Sequence, residues 1–342
     1  MTGTILCAPD SLKGVLSAAA AASALARGVA RSAVGLAAHE LPLADGGEGT
    51  ADALHASLGG AWRTAVVSDP LGRPVEARWL ALPGGRAVVE SARAIGLPLL
   101  AEGERDPLRA TSRGLGELVL AAVREGASEL LVTLGGSATV DGGAGLLEAL
   151  DGRAPLGVPV RVACDVTNPL LGPRGAARAF GPQKGATPEV VEELERRLAA
   201  RSELAQFADL PGAGAAGGLG AAFAALGAEL VPGSELVLDA LDFARRAGAA
   251  RLVVTGEGAV DATSAEGKAP AGVARACARL GVPCVVFGGR VEPAGRALYA
   301  LGATAILPLS GRVERAADDL VDRGEALARL VTCLGGIEPD DG

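Results

Sequence analysis

The chain has 342 residues, of which 49% are hydrophobic and only 2% are aromatic. At roughly 150 residues per domain this length predicts two domains, and the apolar content excludes a disordered chain. The formal net charge of −8 argues against nucleic acid or an anionic membrane surface as a partner.

The cysteines and the hydropathy pattern predict a cytoplasmic protein. The five cysteines are widely spaced and form no CxxC pair, which favours neither a disulfide framework nor a zinc site. The sequence contains no apolar run that approaches the roughly 18 residues of a transmembrane helix, and its start lacks the pattern of a signal peptide.

Both ends of the chain alternate strands and helices. In chain order we predict a strand at 4–8, a helix at 18–34 capped by Ser17, a strand at 39–43, a helix at 48–58, a strand at 251–255, a helix at 267–280, a strand at 284–287, a helix at 293–300 and a strand at 304–307. Such alternation is typical of βαβ units around a parallel sheet.

The middle of the chain follows another pattern. Short strands are predicted within 61–110, followed by a helix at 114–125 capped by Ser112, strands at 130–134 and 160–164, and a charged helix from Pro188 to about 204. We therefore predict two α/β domains. A Rossmann- or flavodoxin-like parallel-sheet domain is formed by 1–60 plus 236–342, and a second α/β domain at 61–235 is inserted into it.

Lysine and asparagine are scarce in this chain. Only three of its 32 basic residues are lysines, and each of them (Lys13, Lys184 and Lys268) is next to a glycine. An ammonium that binds phosphate or carboxylate oxygens benefits from such an open backbone. The single asparagine, Asn168, follows a predicted strand near Asp165. It indicates either a ligand contact or an Asx turn before proline.

Two glycine-rich loops are candidate phosphate sites. The segment 135–143 follows a strand and contains Ser137 and Thr139, as expected of an anion-binding loop, although a tight turn without a ligand has the same pattern. The segment 212–217 matches GxGxxG. Because 207–211 is a poor strand, we favour a phosphate-cradling or helix-packing loop over an NAD site. No Walker A motif is present.

Acidic side chains next to glycines or strand ends complete the pattern. They are Asp10, Asp45, Glu48, Asp141, Asp165, Glu257 and Asp261. So many carboxylates beside one phosphate require a metal ion. Together with the lysines and hydroxyls, they favour Mg²⁺-dependent phosphoryl transfer in which a carboxylate accepts the proton of the attacking hydroxyl.

Seven motifs in fixed order then give the chain a family resemblance. APDSLKG, LADGGEGT, GGSATVDGG, ACDVTNPLLGPRGA, FGPQKGA, PGAGAAGGLG and TGEGAVD…GK resemble the type I glycerate kinases from residue 8 to about 309. The resemblance implies phosphorylation of D-glycerate with ATP and Mg²⁺, with 2-phosphoglycerate favoured as the product. It also implies two α/β domains, one inserted in the other, with the active site in the cleft. Val140 and Ala259 depart from the asparagine and arginine that are usual in the family.

The residue roles follow from this resemblance. The catalytic candidates are Lys13, Asp45, Asp165, Lys184 and Lys268, with Asp165 preferred as the base. The candidates for contacts to glycerate are Asp10, Ser11, Asn168 and Glu257. The nucleotide phosphates are expected at Gly135, Gly136, Ser137, Thr139, Gly214, Gly217 and Gly218. The predicted metal ligands are Asp141, Asp261 and Glu48.

Two other classes stay open at this point. One is an NAD(P)-dependent oxidoreductase of a small hydroxy acid, which would use the 212–217 loop. The other is a non-catalytic metabolite-binding protein, a reading that depends on the departures at Val140 and Ala259. The sequence does not specify an oligomeric state.

Overall fold

The computed structural model describes residues 3–151, 156–265 and 267–334. Its internal contacts divide the chain into two compact units. We call Met1–Asp45, Asp52–Ser57 and Val237–Gly342 the discontinuous unit, and Gly46–Ala51 with Leu58–Leu236 the central unit.

The strands and helices are as follows. The strands are β1 (Thr4–Cys7), β2 (Ala37–Glu40), β3 (Ala61–Ser68), β4 (Pro74–Ala81), β5 (Arg86–Glu90), β6 (Glu129–Thr133), β7 (Val160–Ala163), β8 (Glu229–Val231), β9 (Leu252–Val260), β10 (Cys284–Val291) and β11 (Ala305–Pro308). The α-helices are α1 (Ala18–Arg31), α2 (Thr50–Leu58), α3 (Ser91–Ile95), α4 (Arg113–Arg124), α5 (Ala144–Leu150), α6 (Ala176–Phe180), α7 (Pro188–Ala199), α8 (Ala215–Ala225), α9 (Gly233–Ala240), α10 (Phe243–Gly248), α11 (Ala269–Leu280) and α12 (Ala316–Leu334).

The discontinuous unit contains a five-stranded parallel sheet in the order β11-β10-β9-β1-β2. Ile5, Leu25, Phe287 and Leu320 lie in its buried core. Helices α1 and α12 pack closely because Gly28 has no side chain, since a Cβ there would lie 2.0 Å from the Val321 carbonyl oxygen. The predicted parallel-sheet fold is confirmed.

The central unit contains a six-stranded mixed sheet in the order β3-β4-β5-β6-β7-β8. The pairs β3–β4 and β4–β5 are antiparallel, whereas β5 to β8 are parallel. Leucine and valine fill most of its core, together with the fully buried Phe223. An inserted second α/β fold is therefore confirmed, and the expected location of a site in a cleft stays a prediction.

Several local predictions need correction. The segment Pro293–Leu301 is a 3₁₀ helix, and α7 ends at Ala199 before a short 3₁₀ segment. Strand β9 continues to Val260 because its last residues pair with β10, so the TGEG motif lies in a strand. Among the helices of the described residues, none is both long and apolar enough to cross a bilayer.

Candidate active site

The discontinuous unit contains a cavity of about 510 Å³ at the carboxyl ends of its strands. The sequence-predicted residues Asp10, Ser11, Lys13, Glu257 and Lys268 all line it. Asp10 follows β1, and its backbone N–H donates to the Gly256 carbonyl oxygen over 2.9 Å, which holds it beside β9. Parallel pairing of β1 with β9 thus brings together two motifs that are far apart in the sequence.

Asp10 is a buried carboxylic acid with a perturbed pKa. The pKa of Asp10 is raised to about 7, mainly by burial and also by the negative charges of Asp45 and Glu257, while a hydrogen bond from the Ser11 N–H and the charge of Lys13 act in the opposite direction. The Ser11 nitrogen lies 2.6 Å from Asp10 Oδ1. A strongly perturbed acid in a cavity is typical of a functional site.

Glu257 and Lys268 form an ion pair in the same cavity, with Lys268 Nζ 2.9 Å from Glu257 Oε2. The other oxygen, Oε1, accepts a 2.6 Å hydrogen bond from Ser264 Oγ. Glu257 is therefore fixed by two partners, and the Lys268 ammonium is held at the cavity wall. The intervening Glu266 lies outside the described residues.

Lys13 and Asp45 form a looser and more exposed pair. Lys13 Nζ lies 3.9 Å from Asp45 Oδ2, and the lysine side chain is 83% exposed. Asp261 forms hydrogen bonds within its own loop. Its Oδ1 accepts from the Thr263 hydroxyl and N–H, and the hydroxyl hydrogen bond is the main reason why its pKa is lowered.

The central unit contains a second cavity, of about 330 Å³. Its lining includes the predicted residues Gly135, Gly136, Ser137, Asp165 and Lys184. The 135–137 loop follows β6, and Asp165 follows β7, so two neighbouring parallel strands supply them. Asp165 is exposed, and its Oδ1 accepts a 2.8 Å hydrogen bond from the Gly233 N–H.

Lys184 is the cation that lines this cavity, and it is buried, with only 2% of the residue exposed. Its ammonium donates to Ser137 Oγ over 3.0 Å and to the Thr139 carbonyl oxygen over 2.7 Å. Burial lowers the pKa of Lys184 to about 7, against the negative charge of Asp141, which raises it. Both of these acceptors are neutral, so the charge of the protonated ammonium is available to attract an anion in the cavity.

Asp141 has a structural role that the sequence did not indicate. Its carboxylate accepts from the Ser112 N–H and hydroxyl, both at 2.8 Å, and from the N–H groups of Gly143 and Gly145, both at 3.1 Å. These bonds also explain why Ser112 does not cap α4 with its side chain. The prediction that Asp141 binds a metal has no support in this geometry.

The second glycine-rich loop packs against the first. Gly217 has a φ of 77°, and a Cβ there would lie 2.1 Å from the Thr139 carbonyl oxygen. A Cβ on Gly214 would lie 2.3 Å from the Pro169 carbonyl oxygen, and one on Gly218 would lie 2.8 Å from the Gly142 Cα, so these glycines allow close packing, whereas Ala215 and Ala216 line the cavity. Phosphate binding by Gly214, Gly217 and Gly218 stays a prediction. A 3₁₀ helix precedes this loop, whereas a dinucleotide-binding GxGxxG loop follows a strand. The structure therefore agrees with the prediction that 207–211 is a poor strand.

Two other predicted contacts also serve the local fold. Asn168 Nδ2 donates to the Arg174 carbonyl oxygen over 2.7 Å, a contact that fixes the local loop but is not the predicted Asx turn. Thr139 is fully buried, and its hydroxyl has no hydrogen-bond partner among the described residues. Neither residue lines either cavity.

The metal-binding roles of Glu48, Asp141 and Asp261 stay predictions. Glu48 is exposed and belongs to the central unit with Asp141, and Asp261 belongs to the discontinuous unit. Within the described ranges, no group of three or more His, Cys, Asp or Glu residues could hold an ion.

Sequence reasoning missed two arginines and one buried acid. Arg290 and Arg312 line the larger cavity, but nothing marks them among 29 arginines. Glu90 is buried at the end of β5, and its Oε1 accepts from the N–H groups of Gly49 and Ala51. It thereby anchors the loop whose Gly46 and Gly47 line the smaller cavity.

Comparison with known proteins gives matches along nearly the whole chain. The model of the glycerate kinase family matches residues 5–155 and 153–336. A glycerate kinase from Bacillus subtilis (strain 168) is 40% identical, over 92% of this chain and 94% of its own length. A glycerate 2-kinase from Escherichia coli (strain K12) is 42% identical, over 83% of this chain and 84% of its own.

A solved structure described as glycerate kinase 2 from Salmonella typhimurium LT2 has the same fold. It superposes with a TM-score of 0.88 at 34% identity, over 98% of this chain and 100% of that one. The match to these kinases along the chain places the protein in the phosphotransferase class. The chain belongs to the glycerate kinase family.

Proposed function

We propose that this protein is a glycerate kinase that transfers the γ-phosphoryl group of ATP to D-glycerate. The observation that carries the proposal is family membership along the whole chain, in which the named relatives align with nearly every element described above. The 2-hydroxyl is the proposed acceptor, supported by the name of the Escherichia coli relative. A cytoplasmic location belongs to the same proposal.

The transfer requires a base, and Asp165 is the carboxylate best placed in the smaller cavity. A bond forms between the glycerate hydroxyl oxygen and the γ-phosphorus, while the bond from that phosphorus to the bridging oxygen breaks and releases ADP. The hydroxyl proton passes to the Asp165 carboxylate. Its Oδ1 is oriented by the Gly233 N–H, which fixes the direction of the carboxylate.

Mg²⁺ enters this proposal with the nucleotide. In phosphoryl-transfer enzymes Mg²⁺ is usually held by one or two carboxylates plus substrate phosphates, so a preformed cage is not required. We propose Asp10 and Asp45 for this role, because both carboxylates belong to the discontinuous unit and their charges interact. When bound, the ion would supply positive charge to the phosphate oxygens.

The test is a coupled measurement of ADP release from MgATP with D-glycerate as acceptor. We expect D-glycerate-dependent turnover, a loss of kcat of about 100-fold or more for Asp165→Asn, and wild-type kcat for Asp209→Asn, an exposed aspartate of the same unit. Absence of ADP release at millimolar D-glycerate would refute the kinase assignment. Near wild-type kcat in Asp165→Asn would refute only its role as the base.

The same assay, together with binding measurements for NADH and glycerate, distinguishes the kinase from the oxidoreductase and the metabolite-binding protein that the sequence left open. Tight NADH binding without ATP turnover would support an oxidoreductase, and glycerate binding without turnover would support a sensor. No contact of the described residues favours either. Val140, one of the two departures from the family pattern, is buried in the core of the central unit.

A further inference from the structure

The sheet of the discontinuous unit reverses its winding between β1 and β9. From β1 the chain continues to β2 on one side, whereas from β9 it continues to β10 and β11 on the other. In open parallel sheets, ligands bind at such a switch point, outside the carboxyl ends of the strands. Asp10 after β1 and Glu257 in β9 place the larger cavity at this point.

One wall of this cavity is apolar. Val15, Leu309 and Val313 line it, and Val313 is 65% exposed. Its volume of about 510 Å³ lies well inside the range of roughly 300–1,000 Å³ that is typical of sites for larger ligands. Glycerate is a small acid with no apolar face, whereas the adenine ring of a nucleotide has two.

A nucleotide also needs positive charge near its phosphates, and the same cavity has cationic side chains. Four cations line the cavity together with three carboxyl groups: Lys13, Lys268, Arg290 and Arg312 beside Asp10, Glu257 and Asp319. Lys268 pairs with Glu257, and Arg290 pairs with Glu292 over 3.0 Å, so these cations are held at the wall. A triphosphate offers more oxygens for charge-assisted hydrogen bonds than a single carboxylate does.

The smaller cavity has the complementary character. Among the described residues that line it, Lys184 is the only cation, and its volume of about 330 Å³ lies at the lower end of the same range. Lys184 is buried and bonded to Ser137, which gives a rigid, single-charge anchor. Such a site matches a small carboxylate.

We propose that the cavity of the discontinuous unit binds the adenine nucleotide, with the base on the Val15–Leu309–Val313 wall, and that the cavity of the central unit binds the glycerate carboxylate through Lys184. This allocation rests on the proposed function and names the ligand of each cavity. It moves the nucleotide from the 135–139 loop, where the sequence placed it, to the cavity at the β1–β9 switch point.

Photolabelling of the full chain tests the allocation directly. The probe is 8-azido-ATP with Mg²⁺, followed by proteolysis and mass spectrometry of the labelled peptides. We expect adducts on peptides that contain Val15 or residues 309–316, and suppression of labelling by excess ATP. Adducts confined to peptides of residues 95–97, 134–138 or 180–184 would overturn the allocation.

A matched pair of variants provides an independent equilibrium test. Val313→Asp places a charge on the apolar wall, whereas Val66→Asp places the same charge on a valine of the central unit that is 74% exposed. Titration calorimetry with ATP should show at least a tenfold weaker Kd for Val313→Asp and an unchanged Kd for Val66→Asp. The affinity for D-glycerate should be the same in both.

The remaining outcomes separate the two proposals. If wild-type protein binds ATP and turns over glycerate, but Val313→Asp binds ATP normally while Ser137→Ala weakens it, the allocation is wrong and the proposed function stands. If the wild-type chain binds no ATP at all, both proposals are wrong.

Discussion

The ammonium nitrogen of Lys184 lies 3.0 Å from Ser137 Oγ, and both side chains are buried although they are 47 residues apart in the sequence. The lysine also donates to the Thr139 carbonyl oxygen. The contact couples the GGSAT and GPQK motifs into one anion-binding element. The binding of glycerate should therefore depend on the protonation of Lys184.

The affinity for D-glycerate should fall as the pH rises above about 7, because burial lowers the pKa of Lys184 to about 7 and only the protonated form attracts a carboxylate. The decline should approach about tenfold per pH unit. Lys184→Met should bind glycerate at least about 100-fold more weakly with a flat pH profile, while ATP binding is unchanged. Calorimetry between pH 6 and 9 measures both, and a wild-type profile that is flat across this range would contradict the role of Lys184.

Because of Asp10, the free energy of unfolding should fall as the pH rises, whereas an ion-paired acid would make it rise. Its folded pKa of about 7 lies above the usual aspartate value of 3.8. The folded state therefore keeps a proton that the unfolded chain releases, and the resulting stabilisation is full below about pH 4 and is lost as the pH rises through 7. Asp10→Asn should gain stability relative to wild type between pH 4.5 and 8, by about 2–4 kcal/mol.

Urea unfolding of wild type and Asp10→Asn at pH 4.5 and at pH 8 measures this change in relative stability. The control is Asp209→Asn, which replaces an exposed aspartate. Equal stability differences at both pH values would show that Asp10 is ionised in the folded protein throughout.

Asp141 should matter for stability rather than for metal. Asp141→Ala removes four hydrogen bonds that hold Ser112, Gly143 and Gly145, and we expect a loss of about 2–4 kcal/mol in the free energy of unfolding. The Mg²⁺ concentration that gives half-maximal activity should stay the same. A stable variant with a tenfold higher Mg²⁺ requirement would restore Asp141 as a metal ligand.

Glu90 should position the Gly46–Gly49 loop. Its Oε1 accepts from Gly49 and Ala51, and Oε2 pairs with Arg93. Glu90→Ala should raise the KM for glycerate and lower the thermal stability, whereas Glu90→Gln, which keeps an acceptor oxygen, should recover much of the KM. Steady-state kinetics with a melting curve measures this, and equal KM values in wild type and Glu90→Ala would contradict it.

The sequence predicted the fold class because strand and helix periodicity is local, and the parallel sheet of the discontinuous unit followed from it. Because scarce lysines beside glycines are visible without a structure, the sequence also marked Lys184 and Lys268 as candidate site residues, and the structure places Lys184 at the smaller cavity and pairs Lys268 with Glu257. It did not indicate that Gly217 packs on Thr139, since a glycine used for close packing has the same sequence signal as one that cradles phosphate.

The arginines show the limit of the same reasoning. A residue type that is rare can be recognised by its scarcity, but Arg290 and Arg312 belong to the commonest cation of the chain. Arg290 faces Ala259 in the β9–β10 register, a relationship that only strand pairing reveals. The hydrogen bonds of Asp141 were missed for a related reason, since its four donors come together only when the loop is folded.

Glycerate kinase activity is tested most directly by proton-coupled ³¹P NMR of a reaction that contains the protein, MgATP and D-glycerate. We expect ADP together with an equal amount of a new phosphate monoester, whose resonance is a doublet from the single proton on C2. A triplet would assign the phosphate to the 3-hydroxyl and contradict the proposed acceptor. A spectrum with unchanged ATP, or with ADP and only inorganic phosphate, would contradict glycerate kinase activity.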